Sequence, residues 1–179
     1  MPPGQTTARG GAAGKAPRDA ASDYRAKGTR EAESVSRRLA AALGPPTAGD
    51  PTSGLMLVVD GPAGPRAHQA LAASLNAVGL PDAYLTWTGT GLLMEQILSV
   101  EPGALVAVGP DAAGEIDALQ YPLARRRFAE ATEGEWFVWT RGAAGLLLPP
   151  VHPALSDETA KRRFWSAFLR LRELSNGSP

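Results

Sequence analysis

From residue 54 onward, short apolar runs alternate with segments whose apolar positions recur every three or four residues. Apolar runs bounded by glycine, proline or aspartate are typical of buried strands, and the wider spacing is typical of amphipathic helices. The pattern predicts strands at 55–59, 83–88, 104–108, 136–140 and 146–151, and helices at 68–78, 91–100, 110–119 and 156–174. This alternation predicts an α/β fold in which a mostly parallel central sheet lies between two layers of helices.

Several residues with distinctive chemistry stand where predicted strands end. Asp60, Trp87 and Gly109 lie at the ends of the first three strands, and His152 lies at the end of the last one. Because ligands of parallel sheets bind beyond the carboxyl ends of the strands, we expect these residues to share one crevice. Prolines on both sides of His152 restrict its backbone to a stiff turn, and Ser156 is the predicted N-cap of the final helix.

Residues 1–53 differ in composition from the rest of the chain. They are rich in Gly, Ala, Pro, Ser and Thr and contain few large apolar side chains, so they cannot bury enough surface to offset the entropy of ordering. We predict a mostly disordered N-terminal tail at 1–53 and one domain at 54–179. Within the tail, Val35, Leu39 and Leu43 have the spacing of a short amphipathic helix that would form on a partner surface.

Charge and cysteine content exclude several classes of protein. The net charge is zero, with eight Lys/Arg against five Asp/Glu in the tail and ten against thirteen in the domain, far from the basic patch of a dedicated nucleic-acid binder. Without cysteine, disulfides, thiolate zinc sites and iron–sulfur clusters are excluded, and we expect no metal or other cofactor. The chain lacks an apolar secretion signal and a membrane-length apolar run, so we expect a cytoplasmic protein without membrane contact.

Four motifs follow one another along the domain. They are Asp60-Gly61-Pro62-Ala63-Gly64, Tyr84-Leu85-Thr86-Trp87, Gly109-Pro110-Asp111-Ala112 and His152-Pro153-Ala154. In their order and spacing, the segments over 54–174 resemble the uracil-DNA glycosylase superfamily, most closely its bacterial and archaeal group that carries an iron–sulfur cluster. The resemblance implies that family's fold and a protein that binds DNA, extrudes a base and cleaves its bond to deoxyribose.

The resemblance also implies roles for individual residues. His152 stands where the family's histidine stabilises the departing uracil anion, so it is the first candidate catalytic residue. The family's water-positioning side chain falls on Gly61, which makes the neighbouring Asp60 the second candidate. The family's uracil-reading asparagine falls on Trp87, an indole with one donor and no acceptor that could instead stack on a base. The substrate-binding residues implied by the resemblance are Gly61, Gly64, Trp87, Pro153 and Ala154.

Two basic runs are candidates for contact with a nucleic-acid backbone. The residues are Arg125, Arg126 and Arg127 in one run, and Lys161, Arg162 and Arg163 on the final helix in the other. A solvated surface is the alternative for both runs. For Asp60 the alternative is an Asx turn, for Trp87 a place in the core, and for His152 a hydrogen bond that closes a turn.

Two hypotheses of different class remain open. The first is a divergent uracil-DNA glycosylase-like protein with weak or altered base-excision activity, or with DNA binding alone. The second is a non-catalytic accessory protein that keeps the fold as a scaffold and docks on a protein partner through its tail. Asp60 and His152 on opposite faces of the sheet would remove the catalytic case.

Overall fold

The computed structural model describes residues 47–61 and 64–177, together with residues 30, 31, 33 and 34. The apolar positions of the predicted tail helix, Val35, Leu39 and Leu43, lie outside the described residues. None of the described helices has the length and apolar character needed to cross a membrane.

Within the described residues, five strands form one sheet. They are β1 (Leu55–Val59), β2 (Tyr84–Trp87), β3 (Ala104–Val108), β4 (Trp136–Val138) and β5 (Ala144–Leu148), in the spatial order β2-β1-β3-β5-β4. β1 is parallel to β2 and β3, β3 is parallel to β5, and β4 is antiparallel to β5. Every residue of β1 and β3 is buried, which explains their continuous apolar sequences. The prediction of an α/β fold with a mostly parallel central sheet is confirmed.

Helices cover both faces of the sheet. They are α1 (Pro65–Ala77), α2 (Leu93–Val100), α3 (Pro110–Ala118), α4 (Val151–Ala154), α5 (Glu158–Phe168) and α6 (Arg172–Ser175), with 3₁₀ turns at Phe128–Glu130 and Leu169–Leu171. α1 and α5 bury Leu71 and Phe168 against one face. α2 and α3 bury Ile97 and Ile116 against the other, which completes the predicted three layers.

Two element ends differ from the prediction because of proline. α1 begins at Pro65 rather than at residue 68, since proline has the backbone angle of a first helical residue and needs no N–H there. β5 ends at Leu148 rather than at residue 151, because the two following prolines cannot donate to a strand ladder. Val151 instead begins α4, so His152 lies in a single helical turn rather than an irregular one.

The N-cap of α5 is Asp157, not Ser156 as predicted. The Asp157 Oδ1 atom accepts a hydrogen bond from the Ala160 N–H at 2.6 Å, which satisfies one of the free donors of the first turn. Asp157→Ala is therefore expected to lower the free energy of unfolding by about 1 kcal/mol. Ser156→Ala, at the exposed neighbouring position, is expected to change it by less than about 0.5 kcal/mol. Denaturant unfolding of both variants checks this, and equal losses would contradict it.

Residues before the predicted domain boundary at Gly54 also pack on the sheet. Ala48 and Leu85 of β2 form an antiparallel bridge with N–H to O distances of 3.3 and 2.7 Å. The Asp50 N–H donates to the Asp82 carbonyl at 2.8 Å. The folded part therefore extends N-terminal to Gly54, at least to these bridging residues.

Candidate functional site

The parallel strands end at the same level of the sheet, which we call the carboxyl edge; the opposite end is the amino edge. Val59 pairs with Val108, and Val108 pairs with Leu148. The ladder continues one residue further, because Asp60 N–H donates to the Val108 carbonyl and Gly109 N–H donates to the Leu148 carbonyl, both at 3.0 Å. Asp60 and Gly109 therefore lie on adjacent strands at the carboxyl edge, as the sequence predicts.

The Asp60 side chain is directed at the N-terminus of α3. Its Oδ1 atom accepts a hydrogen bond from the Ala112 N–H at 2.7 Å, and the residue is only 9% exposed. Gly109, the N-cap residue of α3, has φ of 104°. A Cβ atom at Gly109 would lie 2.1 Å from Asp60 Oδ2, so only glycine leaves room for the carboxylate. Asp60 thus caps a helix that begins on the neighbouring strand.

The electrostatics of Asp60 connect it to two other titratable residues. Burial raises the pKa of the Asp60 carboxyl, and hydrogen bonds from the backbone N–H groups of Ala112 and Asp111 partly offset this rise. The Asp111 carboxylate raises the pKa of Asp60 further, whereas the charge of His152 lowers it. Asp111 and His152 therefore each lie within electrostatic reach of Asp60 at the carboxyl edge.

His152 is exposed to solvent at this edge. It is the second residue of α4, which follows extended backbone at Pro150 with φ of −64° and ψ of 141°. Pro153 is exposed and Ala154 is half-buried in the same helical turn. An accessible imidazole can donate a hydrogen bond to a bound ligand, whereas the buried Asp60 carboxylate already accepts backbone donors.

Asp111 is a second carboxylate at the edge, and the sequence motifs alone assign it no role in the site. It is the second residue of α3 and is exposed, in contrast to Asp60. Its position directly after the apolar run of β3 and the Gly-Pro pair was the signal that could have identified it. Asp111 therefore offers the carboxyl edge an acceptor that is open to solvent.

The remaining predicted substrate-binding residues have different environments. The Gly61 N–H donates to Thr88 Oγ1 at 3.0 Å, and Gly64 is the exposed N-cap residue of α1. Pro62 and Ala63, between them, lie outside the described residues. Trp87 is 3% exposed, so its indole belongs to the core and has no open face on which a base could stack.

Buried polar side chains support the carboxyl edge from below. Thr86 Oγ1 donates to Gln96 Oε1 at 2.9 Å, which joins the end of β2 to α2, and both residues are buried. The Gln96 Nε2 atom is also buried and has no hydrogen-bond partner among the described residues. This buried polar pair is not predictable from the sequence pattern.

The basic run on α5 lies near α4, the helical turn that contains His152. α5 begins directly after α4 and packs against it. Lys161 Nζ and Arg162 Nε each lie 3.8 Å from the Glu158 carboxylate, and Arg163 Nε donates to Glu133 Oε2 at 2.8 Å. Lys161 and Arg162 are thus loosely paired at the surface, whereas Arg163 is held more firmly.

The other basic run, Arg125 to Arg127, lies at the amino edge. Arg125 N–H donates to the Trp139 carbonyl at 2.7 Å. Trp139 follows Val138, which pairs with Ala144 at the start of β5. A five-residue strand is about 17 Å long, so this run is about that far from His152 along the sheet. The structure does not bring the two basic runs together.

Among residues 47–61 and 64–177, no group of three His, Cys, Asp or Glu side chains is arranged to hold a metal ion. The carboxyl-edge site therefore consists of an exposed imidazole, an exposed carboxylate and a buried, helix-capping carboxylate.

No match to this chain is found among protein-family models or among curated proteins.

Proposed function

We propose that this chain is a divergent uracil-DNA glycosylase-like protein that binds DNA at its carboxyl edge and excises a base weakly. The observation that carries the proposal is the exposed His152 imidazole at the sheet edge where Asp60 and Asp111 also lie. An imidazole and carboxylates at one sheet edge are suited to breaking an N-glycosidic bond, because charge develops on both the base and the sugar.

In this reaction the bond between the base nitrogen and C1′ of deoxyribose breaks, and its electron pair leaves with the base. His152 donates a hydrogen bond to the base oxygen on which negative charge accumulates. Water adds to C1′ and loses a proton, and a proton is taken up by the departing base. Asp111 is the open carboxylate that orients this water, because Asp60 is occupied in capping α3. The loss of Asp60 from this role is the reason that we propose weak activity.

Lys161 and Arg162 supply the backbone contacts in this proposal. Their ion pairs with Glu158 are long and exposed. The side chains of Lys161 and Arg162 are 66% and 81% exposed. Exposed pairs of this kind contribute little free energy, so a phosphate can replace Glu158 at small cost. DNA bound at the carboxyl edge would then pass over the start of α5, next to His152.

The test is single-turnover excision from oligonucleotides that contain uracil, hypoxanthine or a mismatch. We expect slow cleavage by the wild-type chain and at least about tenfold slower cleavage by His152→Ala, because one charge-stabilising donor is lost. Thr159→Ala, an exposed change on α5, is the control and should leave the rate unchanged. Cleavage undiminished in His152→Ala, or no cleavage at high protein excess, would refute the enzymatic proposal.

A second candidate is the non-catalytic accessory protein. The role of Asp60 favours this candidate, because capping α3 accounts for the buried carboxylate without a catalytic role. In this case the chain would use its tail, most of which lies outside the described residues, to bind a protein partner in the cytoplasm. DNA binding that weakens as salt rises supports the first candidate, and the absence of DNA binding at low salt supports the second.

A further inference from the structure

We propose that a second site, at the amino edge, binds a nucleotide through its phosphate and its base. A pocket of about 510 Å³ opens between the end of α3, the segment after it and the residue that follows β4. Its polar and aromatic lining comprises Asp117, Gln120, Tyr121, Arg126, Arg127 and Trp139. This amino-edge pocket is separate from the carboxyl-edge site, so the proposal does not depend on the function proposed above.

Arg127 is available to an anion. Its side chain is 68% exposed, and its Nε atom is 3.7 Å from Asp117 Oδ2. The Asp117 carboxylate already accepts hydrogen bonds from the N–H groups of Phe128 and Ala129, at 2.8 and 2.9 Å. Because these backbone donors satisfy Asp117, Arg127 can turn towards a ligand without leaving a carboxylate unpaired.

Arg126 is held in place at the same pocket. Its Nη2 atom donates to the Glu130 carbonyl at 2.7 Å, and its Cζ atom lies 5.4 Å from the centre of the Phe137 ring. A guanidinium has five N–H donors, so donors remain for a phosphate while these two contacts fix its position.

The balance of charge at the pocket is positive. Two arginines, Arg126 and Arg127, and one carboxylate, Asp117, line the pocket. The two arginines outweigh Asp117 together with the partial negative charge of roughly one half at the C-terminus of α3. The amino-edge pocket therefore favours an anion, and the paired donors of arginine suit the oxygens of phosphate.

Aromatic rings give the pocket a surface for a planar group. Tyr121 and Trp139 stack with ring centres 5.0 Å apart and an angle of 27° between the planes. Trp139 is buried and Tyr121 is half-buried, so part of the tyrosine ring remains open to a nucleobase. The Gln120 side chain adds an amide to the rim of the pocket. The backbone of Gln120 has φ of 48°, a conformation that glycine usually adopts after a helix. Phosphate and base recognition together indicate a nucleotide.

The experiment is an NMR titration of the full chain with uridine 5′-monophosphate. We expect shifts of the backbone amides of residues 120, 121, 123–127 and 139. Shifts at Asp60, Asp111 and His152 report the carboxyl-edge site separately. Arg127→Gln should weaken binding at the amino edge by at least about tenfold, because a charge-assisted contact is lost. Arg172→Gln, the same change on exposed α6, should weaken it by less than about twofold.

A second variant distinguishes ligand contact from structural support. Gln120→Gly removes an amide and relieves the positive φ, so it should raise the Tm while weakening nucleotide binding. If a 5′-phosphorylated oligonucleotide shifts the same amides, the pocket binds the terminal nucleotide of a nucleic-acid strand. Inorganic phosphate that binds as tightly as the nucleotide, equal effects of Arg127→Gln and Arg172→Gln, or no shifts at 120–127 would overturn the proposal.

Discussion

Gly109→Ala is expected to lower the free energy of unfolding by about 3 kcal/mol. The new Cβ would lie 2.1 Å from Asp60 Oδ2 and 2.3 Å from its Cγ, far inside van der Waals contact. The carboxylate would have to move, which breaks its hydrogen bond to Ala112. In addition, φ of 104° at this position is a backbone conformation that residues with a Cβ rarely adopt. Denaturant unfolding measures the loss.

Gly114→Ala is the matched control within α3. A Cβ at Gly114 would meet nothing within 4 Å, and alanine is the better helix former, so we expect a gain of up to about 1 kcal/mol. If Gly109→Ala keeps the wild-type stability within about 0.5 kcal/mol, the close approach of Asp60 to the start of α3 is wrong.

Asp60→Ala is expected to lower the free energy of unfolding by about 2 to 3 kcal/mol, which is the second large effect. The change removes the acceptor of the buried Ala112 N–H, and an unsatisfied buried donor costs about 1 to 3 kcal/mol. Asp60→Asn keeps an oxygen in the same place and should retain most of the stability at neutral pH. Equal losses in the two variants would contradict the capping role of the side-chain oxygen.

The same variants give a pH dependence of known sign. Burial raises the pKa of Asp60 above its ordinary value of 3.8, so the folded chain binds this proton more tightly than the unfolded chain. The stabilising contribution of Asp60 is therefore largest at low pH and is lost as the pH rises through the raised pKa. Asp60→Asn removes this dependence, so its stability relative to wild type should improve from about pH 4 to about pH 7. Unfolding measured across this range checks the sign.

The sequence predicts the main strands well because the chain ends them sharply. β1 and β3 have their predicted bounds, since continuous apolar runs stop at Asp60 and Gly109. The direction of β4 was not predictable from its three residues. Its antiparallel pairing with β5 depends on contacts made after the chain has turned back. That direction brings Trp139, which follows β4, to the amino edge, where its carbonyl accepts the Arg125 N–H.

Only the position of the candidate site, at the ends of adjacent strands, was predictable from the sequence. The rule for parallel sheets brings Asp60, Gly109 and His152 to one edge, as the strand register shows, whereas Trp87 of the same predicted set is buried. The use of the Asp60 carboxylate was not predictable, because its partner Ala112 is 52 residues away and the bond requires the strand order of the folded sheet. The roles in DNA binding and base excision stay predictions.

The bridge between Ala48 and Leu85 bears on how the protein stays dispersed. β2 is an outer strand, and outer strands with free N–H and C=O groups recruit further strands and seed aggregates. Ala48 occupies both backbone groups of Leu85, and the outer strand on the other side, β4, has only three residues. A fragment that begins at Gly54 would lack the Ala48 bridge, so the backbone N–H and C=O groups of Leu85 would be exposed. We expect such a fragment to aggregate more readily than the intact chain.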